Sequence, residues 1–190
     1  MRMSRSVQVQ SEPPFIQTLS SVFSGEECAV MIQRIESLGP AAAPITTPRG
    51  FVMRPDIRNN DRVMFDDLAL AADLFARVRH CVPPTLGTWR AVGINERFRC
   101  YRYQPGQFFA LHRDGAFIRS PQEQSLLTLL IYLNGDCEGG ETRFPFEERQ
   151  VIPASGTALL FEHLLLHEGA EVRAGTKYVL RTDVMYRLEE

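Results

Sequence analysis

Histidine occurs four times in the 190 residues, at His80, His112, His163 and His167, and one of these stands two positions before an aspartate, in Leu111-His112-Arg113-Asp114-Gly115. Residues two apart on a strand face the same way, so the His112 imidazole and the Asp114 carboxylate can converge on one ion. Two ligands do not make a metal site, and taken alone the pair reads equally well as a surface pair at a strand end. A second imidazole from a distant strand would complete a two-histidine, one-carboxylate set, which leaves adjacent positions open on a non-haem Fe(II) centre. His163 and His167 compete for that place, both where the apolar run Ala158-Leu159-Leu160-Phe161 ends.

Such a site needs strands, and the second half of the chain supplies them. From about residue 96, short runs rich in β-branched, aromatic and leucine residues alternate with Gly, Pro and Asn. They predict strands over 96–103, 107–112, 125–133, 142–145, 157–161, 170–173 and 177–187, a rhythm that suits a double-sheet jelly roll. Upstream, Ser24 and Glu27 form a capping box, and Val30, Met31, Ile32, Ile35 and Leu38 predict a helix over about 25–38, stopped by Gly39-Pro40. A Pro- and Ala-rich connection over 40–48 and a polar stretch over 54–62 read as a long loop. Asp66 or Asp67 then caps a second helix, with Leu70, Leu74, Phe75 and Val78 on one face and Pro83-Pro84 ending it. The expected class is α+β: a jelly-roll core over 96–190, mainly helical support and substrate loops over 13–95, and a disordered tail over 1–12. No internal repeat or low-complexity segment interrupts this plan.

With 44% hydrophobic residues the chain can bury one substantial core, so one domain is expected. Its 21 basic and 23 acidic residues nearly cancel, which gives no broad positive field to attract a nucleic-acid backbone. No signal-like apolar core opens the sequence and no run reaches membrane-spanning length, so a cytoplasmic protein without membrane partners is expected. Cys28, Cys81, Cys100 and Cys137 form no C-x-x-C pair and read as reduced thiols. Gly139-Gly140 lacks the Gly-Lys-Ser/Thr ending of a phosphate loop and reads as a turn before a strand, in which Thr142 and Phe144 are expected mostly as core.

From Tyr101 to Tyr186 the chain resembles the prolyl 4-hydroxylase-like group of Fe(II)/2-oxoglutarate oxygenases. Five pieces carry the likeness in order: Tyr103-Gln-Pro-Gly-Gln-Phe-Phe-Ala-Leu-His-Arg-Asp114; Leu129-Leu-Ile-Tyr-Leu-Asn134; Gly139-Gly-Glu-Thr-Arg-Phe144; Pro153-Ala-Ser-Gly-Thr-Ala-Leu-Leu-Phe161; and His167-Glu-Gly169 with Gly175-Thr-Lys-Tyr-Val-Leu-Arg-Thr-Asp-Val-Met-Tyr186. The resemblance implies a double-stranded β-helix and iron held by His112, Asp114 and His167. It leaves His163 as a hydrogen-bonded histidine at the strand end. It implies that Lys177 binds the far carboxylate of 2-oxoglutarate, and that Tyr103 and Tyr132 hydrogen-bond the cosubstrate. The physics agrees, because a dianion in a narrow, partly dry pocket needs a fixed cation. Arg181, four residues on and facing the same way, is the alternative anchor.

The implied reaction consumes 2-oxoglutarate and O2, with ascorbate as an accessory reductant, and releases succinate and CO2 while hydroxylating an aliphatic C–H bond of a small metabolite, amino acid or protein side chain. Asp114 argues against a halogenase, in which a small residue replaces the carboxylate. Substrate contacts are expected from the polar loop with Arg58, Asn59, Asn60 and Arg62, and from Arg119. Three rival classes share part of the pattern: a base-demethylating dioxygenase, which should carry a basic groove; a cupin-like metal-binding sensor that turns nothing over; and a zinc hydrolase.

Overall fold

The structure, a computed structural model, describes residues 13–189; the expected N-terminal tail lies outside them. Eleven strands and two helices carry the site: β1 (Ile16–Leu19), α1 (Gly25–Ser37), β2 (Asp61–Asp66), α2 (Leu68–Val78), β3 (Trp89–Ile94), β4 (Arg97–Tyr103), β5 (Phe109–His112), β6 (Glu123–Tyr132), β7 (Thr142–Phe144), β8 (Arg149–Val151), β9 (Ala158–Glu162), β10 (His167–Gly169) and β11 (Lys177–Leu188). The larger sheet runs β1-β9-β6-β11-β4-β2 and ends on the short strand Ala41–Ala42, while β3 pairs with the far half of β11. The smaller sheet runs β8-β7-β10-β5. Every pairing is antiparallel, and the two sheets make the expected jelly roll.

The run Leu126–Tyr132 is apolar on both faces because both faces are covered. Leu127, Leu129 and Ile131 point into a core shared with Met31 and Ile35 of α1 and Leu74 and Val78 of α2. Leu130 and Tyr132 point the other way, into a second core between the sheets with Tyr101, Phe144, Phe161 and Val179. Each fully buried leucine or isoleucine contributes about 1.5–3 kcal/mol. The helices thus hold the larger sheet from behind, leaving its front face for chemistry.

Both helices start as expected. The Ser24 hydroxyl accepts from Glu27 N at 3.1 Å and the Glu27 carboxylate accepts from Ser24 N at 2.8 Å; Asp67, rather than Asp66, caps α2 by accepting from Leu70 N at 3.0 Å. The stretch 13–95 departs from the helical plan because five of its segments are recruited into the larger sheet: β1, β2, β3 and the short strands Ala41–Ala42 and Thr85–Leu86. In β2 the sequence Asp61-Arg-Val-Met-Phe-Asp66 pairs residue by residue with β4. Its polar residues hide it, because Asp61 and Asp66 are held by Arg102 and Arg97 of the neighbouring strand. The strand expected at 170–173 is two short ones, β10 and Val172–Ala174, bent between the smaller sheet and a pairing with Glu138–Gly139.

Candidate active site

In the pairing of β5 with β10, His112 lies directly opposite His167, and their rings are 4.3 Å apart centroid to centroid. Asp114, two residues beyond the end of β5, reaches both: its carboxylate oxygens lie 3.7 Å from His112 Nε2 and 3.7 Å from His167 Nε2. One ligand atom from each residue falls within 4.8 Å of the others. Ala110 O lies 2.8 Å from His112 Nδ1, and Leu165 O lies 2.9 Å from His167 Nδ1. A carbonyl oxygen only accepts, so each Nδ1 carries a proton, and in the neutral ring each Nε2 turns a lone pair toward the carboxylate. Burial, then the neighbouring imidazole, pushes His112 down to about 4, which keeps it neutral and able to ligate near neutral pH. Burial would raise Asp114, but Arg181 and the two imidazoles outweigh it and hold the carboxyl far below its usual range. Two imidazoles, each presenting Nε2, and one carboxylate converging on one point fit a divalent metal ion.

Behind the triad runs a chain of hydrogen bonds that the sequence did not disclose. Thr128 of β6 donates its hydroxyl to Asp114 Oδ2 at 2.6 Å. That uses its one proton, so Thr128 Oγ1 accepts from His163 Nδ1 at 2.8 Å, and His163 Nε2 accepts from the Ser125 hydroxyl at 2.8 Å. The Ser125 oxygen in turn accepts from Phe117 N at 2.8 Å. His163 is therefore the satisfied strand-end histidine that was expected, but its partners connect it to a triad residue. On the other side Arg181 Nη2 lies 3.3 Å from Asp114 Oδ1 and 3.1 Å from Asp183 Oδ1.

Beside the triad, between the sheets, is a narrow chamber of about 40 Å³, with Tyr103, Leu130, Thr142, Gly169, Lys177 and Val179 in its wall. Lys177 faces Tyr103 across the β11–β4 ladder. It is buried, donates to Gly140 O at 2.6 Å, and lies 4.9 Å and 5.7 Å from the ring centroids of Tyr103 and Tyr132. Burial brings it down to about 8, against the opposing pull of Cys137 and Glu141. A cation in that position, with no carboxylate paired to it among the described residues, suits an anionic ligand. Gly140, at φ +71°, keeps the place open: a Cβ there would fall 2.9 Å from Lys177 Cδ.

The remaining expected residues separate. Tyr103 lines the chamber, whereas Tyr132 is fully buried with its hydroxyl 2.6 Å from Thr142 Oγ1, so Thr142 is the hydroxyl in the wall. Thr142, expected mostly as core, was missed because its exposure to the chamber depends on the register of β7. Arg181 lies nearer the triad than the far end of the chamber. Arg58 and Arg62 line an outer cavity that opens over His112 and Asp114, and Asn60 supports Arg58 by accepting from its Nε at 2.7 Å. Arg119 is not brought there, because Glu96 and Glu123 hold its guanidinium away from the mouth. Tyr101, between chamber and mouth, is buried, which alone would raise its phenol, yet Arg58, Arg181 and Arg99 hold it below its ordinary value. Among the described residues no helix is long and apolar enough to cross a membrane.

Residues 98–182 match the 2OG-Fe(II) oxygenase superfamily. A protein of Acanthamoeba polyphaga mimivirus, provisionally named a prolyl 4-hydroxylase, is 32% identical over 102 residues, 44% of this chain and 42% of that protein. Prolyl 4-hydroxylase 1 of Arabidopsis thaliana is 26% identical over 198 residues, 90% of this chain and 69% of that protein. The match thus spans less than half of the viral relative's length. Among solved structures, a prolyl hydroxylase of Trichoplax adhaerens in complex with a hypoxia-inducible-factor peptide fragment superposes with a TM-score of 0.64 at 18% identity, covering 91% of this chain and 83% of that one.

Proposed function

We propose that this chain, a prolyl 4-hydroxylase-like member of the 2OG-Fe(II) oxygenase superfamily, is one oxygenase domain over 13–190 that hydroxylates an aliphatic C–H bond and converts 2-oxoglutarate to succinate and CO2. The observation that carries this reading is the convergence of His112, Asp114 and His167 beside a chamber holding the buried, carboxylate-free cation of Lys177. In it, His112, Asp114 and His167 hold Fe(II). The bound iron, with 2-oxoglutarate and O2, supplies the oxidising chemistry.

The chain's own residues bind, orient and exclude water. Lys177 exchanges its bond to Gly140 O for the far carboxylate of 2-oxoglutarate, at the end of the chamber where a charge-assisted bond is strongest. Tyr103 and Thr142 offer hydroxyls along the way, and Leu130 and Val179 keep the walls dry. Thr128 and Arg181 fix the two oxygens of Asp114 from opposite sides, so the carboxylate meets the metal in one orientation. Four unpaired cysteines suit a cytoplasmic setting.

The substrate is a small molecule or a peptide segment; the Trichoplax structure is a complex with a peptide fragment. The test is succinate formation by anaerobically purified protein supplied with Fe(II), 2-oxoglutarate, ascorbate and O2. Slow turnover lost in His167→Ala, with a raised 2-oxoglutarate requirement in Lys177→Ala, is the expected result. No succinate together with no 2-oxoglutarate binding would overturn the reading in favour of a sensor or a hydrolase.

A further inference from the structure

The outer cavity carries a charge imbalance that iron and cosubstrate leave in place. It encloses about 500 Å³ over His112 and Asp114, and Arg58, Arg62, Arg99, Arg113 and Arg181 line it against a single acidic residue, Asp114. Asp183, buried behind the wall, serves both Arg99 and Arg181, at 3.1 Å in each case. Arg58 is steadied by Asn60 and Arg113 by Leu164 O, but no carboxylate among the described residues pairs with either of them or with Arg62. Loading the centre does not change this, since the two charges of Fe(II) match the two of 2-oxoglutarate.

Arg58 is the most telling of the set. It is only 5% exposed, and its guanidinium lies 4.4 Å from the ring centroids of both Tyr101 and Phe109. Its Nη2 is buried with no hydrogen-bond partner among the described residues. A buried guanidinium edge left without a partner is costly unless a ligand completes it. Arg62 stands in the same wall, half-buried, and burial first, then the charges of Arg58, Arg99 and Arg181, make its proton less firmly held, with Tyr101 opposing. The wall also includes the apolar side chains of Pro44, Ile45, Ile57, Phe109 and Ala116, with Thr46 and Tyr101 among them.

Building on the oxygenase reading above, we infer that the prime substrate is a small aliphatic carboxylic acid, free amino acids included, whose carboxylate sits on Arg58 and Arg62 and whose carbon chain lies toward His112 and Asp114. The cavity is of small-ligand size. The chain as a whole has a net charge of −2, which does not suit a long polyanion.

The test is calorimetric, so it does not depend on turnover. Protein held anaerobically with Mn(II) is titrated with 2-oxoglutarate, and then, at saturation, with short aliphatic carboxylates and free aliphatic amino acids, each compared with its primary amide. The expected result is at least one acid that binds about tenfold or more tighter than its amide. Arg62→Gln should remove most of that difference and Arg62→Lys should retain part of it. Should Arg62→Gln melt like an unfolded chain, Arg58→Lys, which keeps the charge but removes the unpartnered Nη2, gives the comparison instead, and an acid preference unchanged there would overturn the inference. Equal binding of acid and amide, or no acid bound, would overturn the inference. So would acid binding that weakens as 2-oxoglutarate rises, because the arginines would then serve the cosubstrate. Binding confined to acidic peptides or single-stranded DNA would overturn it as well. Failure of 2-oxoglutarate itself to bind would remove the oxygenase reading, whereas normal binding of it with indifferent acids removes only the inference.

Discussion

Replacing Thr128 by valine deletes one hydroxyl and leaves the shape of β6 almost unchanged, so it isolates the hydrogen bond to Asp114. Two interactions disappear: the 2.6 Å bond to the carboxylate and the acceptor for His163 Nδ1. The first is charge-assisted and contributes about 1.5–3 kcal/mol; the second leaves a buried N–H unpaired, at about 1–3 kcal/mol. They report in different assays. His163 loses its acceptor whether or not metal is bound, so that loss lowers the melting temperature and cancels from the metal affinity. Asp114 without Thr128 keeps only Arg181 on its other oxygen in the metal-free protein and must be further ordered when the ion binds, so the first loss appears as about tenfold to a hundredfold weaker metal binding. Competition for Co(II) or Mn(II) against a chromophoric chelator under nitrogen measures it, and Thr128→Ser should recover most of the affinity. A folded Thr128→Val that binds metal within about twofold of the unmodified protein would refute the idea that this hydroxyl orients the ligand.

Three further outcomes are expected. Gly140→Ala should raise the concentration of 2-oxoglutarate needed for half-maximal succinate formation by about tenfold, because the new Cβ would lie 2.9 Å from Lys177 Cδ and displace the anchor. Gly156→Ala should cost about 3 kcal/mol in a denaturant melt, since φ is +73° there and a Cβ would fall 2.1 Å from Phe23 O. In the metal-free protein, thermal stability should fall as pH drops from about 6.5 toward 4. Burial and His167 lower the folded His112 below its ordinary value, so the unfolded chain binds the proton first; the stability is complete above the unfolded value and lost on descending through the folded one. His112→Gln should flatten that part of the profile.

The convergence of His112, Asp114 and His167 was legible because its information is local or ordered along the chain: a His-x-Asp at the end of a strand, and, through the family resemblance that favours His167 over His163, a histidine ahead of a strand bearing Lys177. The helix caps were legible for the same reason, each resting on a hydrogen bond spanning three residues. What stayed hidden depends on register. Thr128 is one hydroxyl in an apolar run, and only the pairing of β6 with β9 and β11 turns it toward Asp114. One signal existed: it shares the alternate face of β6 with Tyr132, so a polar residue there looks into the space between the sheets. The polar composition of their loop marks Arg58 and Asn60 as candidate substrate contacts, but nothing in a polar loop announces that its arginine is buried between Tyr101 and Phe109. Arg119 misled because Glu96 and Glu123, its partners, come from β-rich stretches whose pairing the sequence does not state.

The order of strands in the larger sheet has a consequence for synthesis. β11, the last of these strands to leave the ribosome, lies in the middle, between β6 and β4, rather than at an edge. Until residues 177–188 emerge, β1-β9-β6 and β4-β2 are two half-sheets with open backbone edges and no partner to join them. The same strand brings Lys177 and Arg181. A nascent chain stopped short of it therefore has His112, Asp114 and His167 already made but neither of these inward-facing cations, so the sheet and the binding site are completed in one closing event.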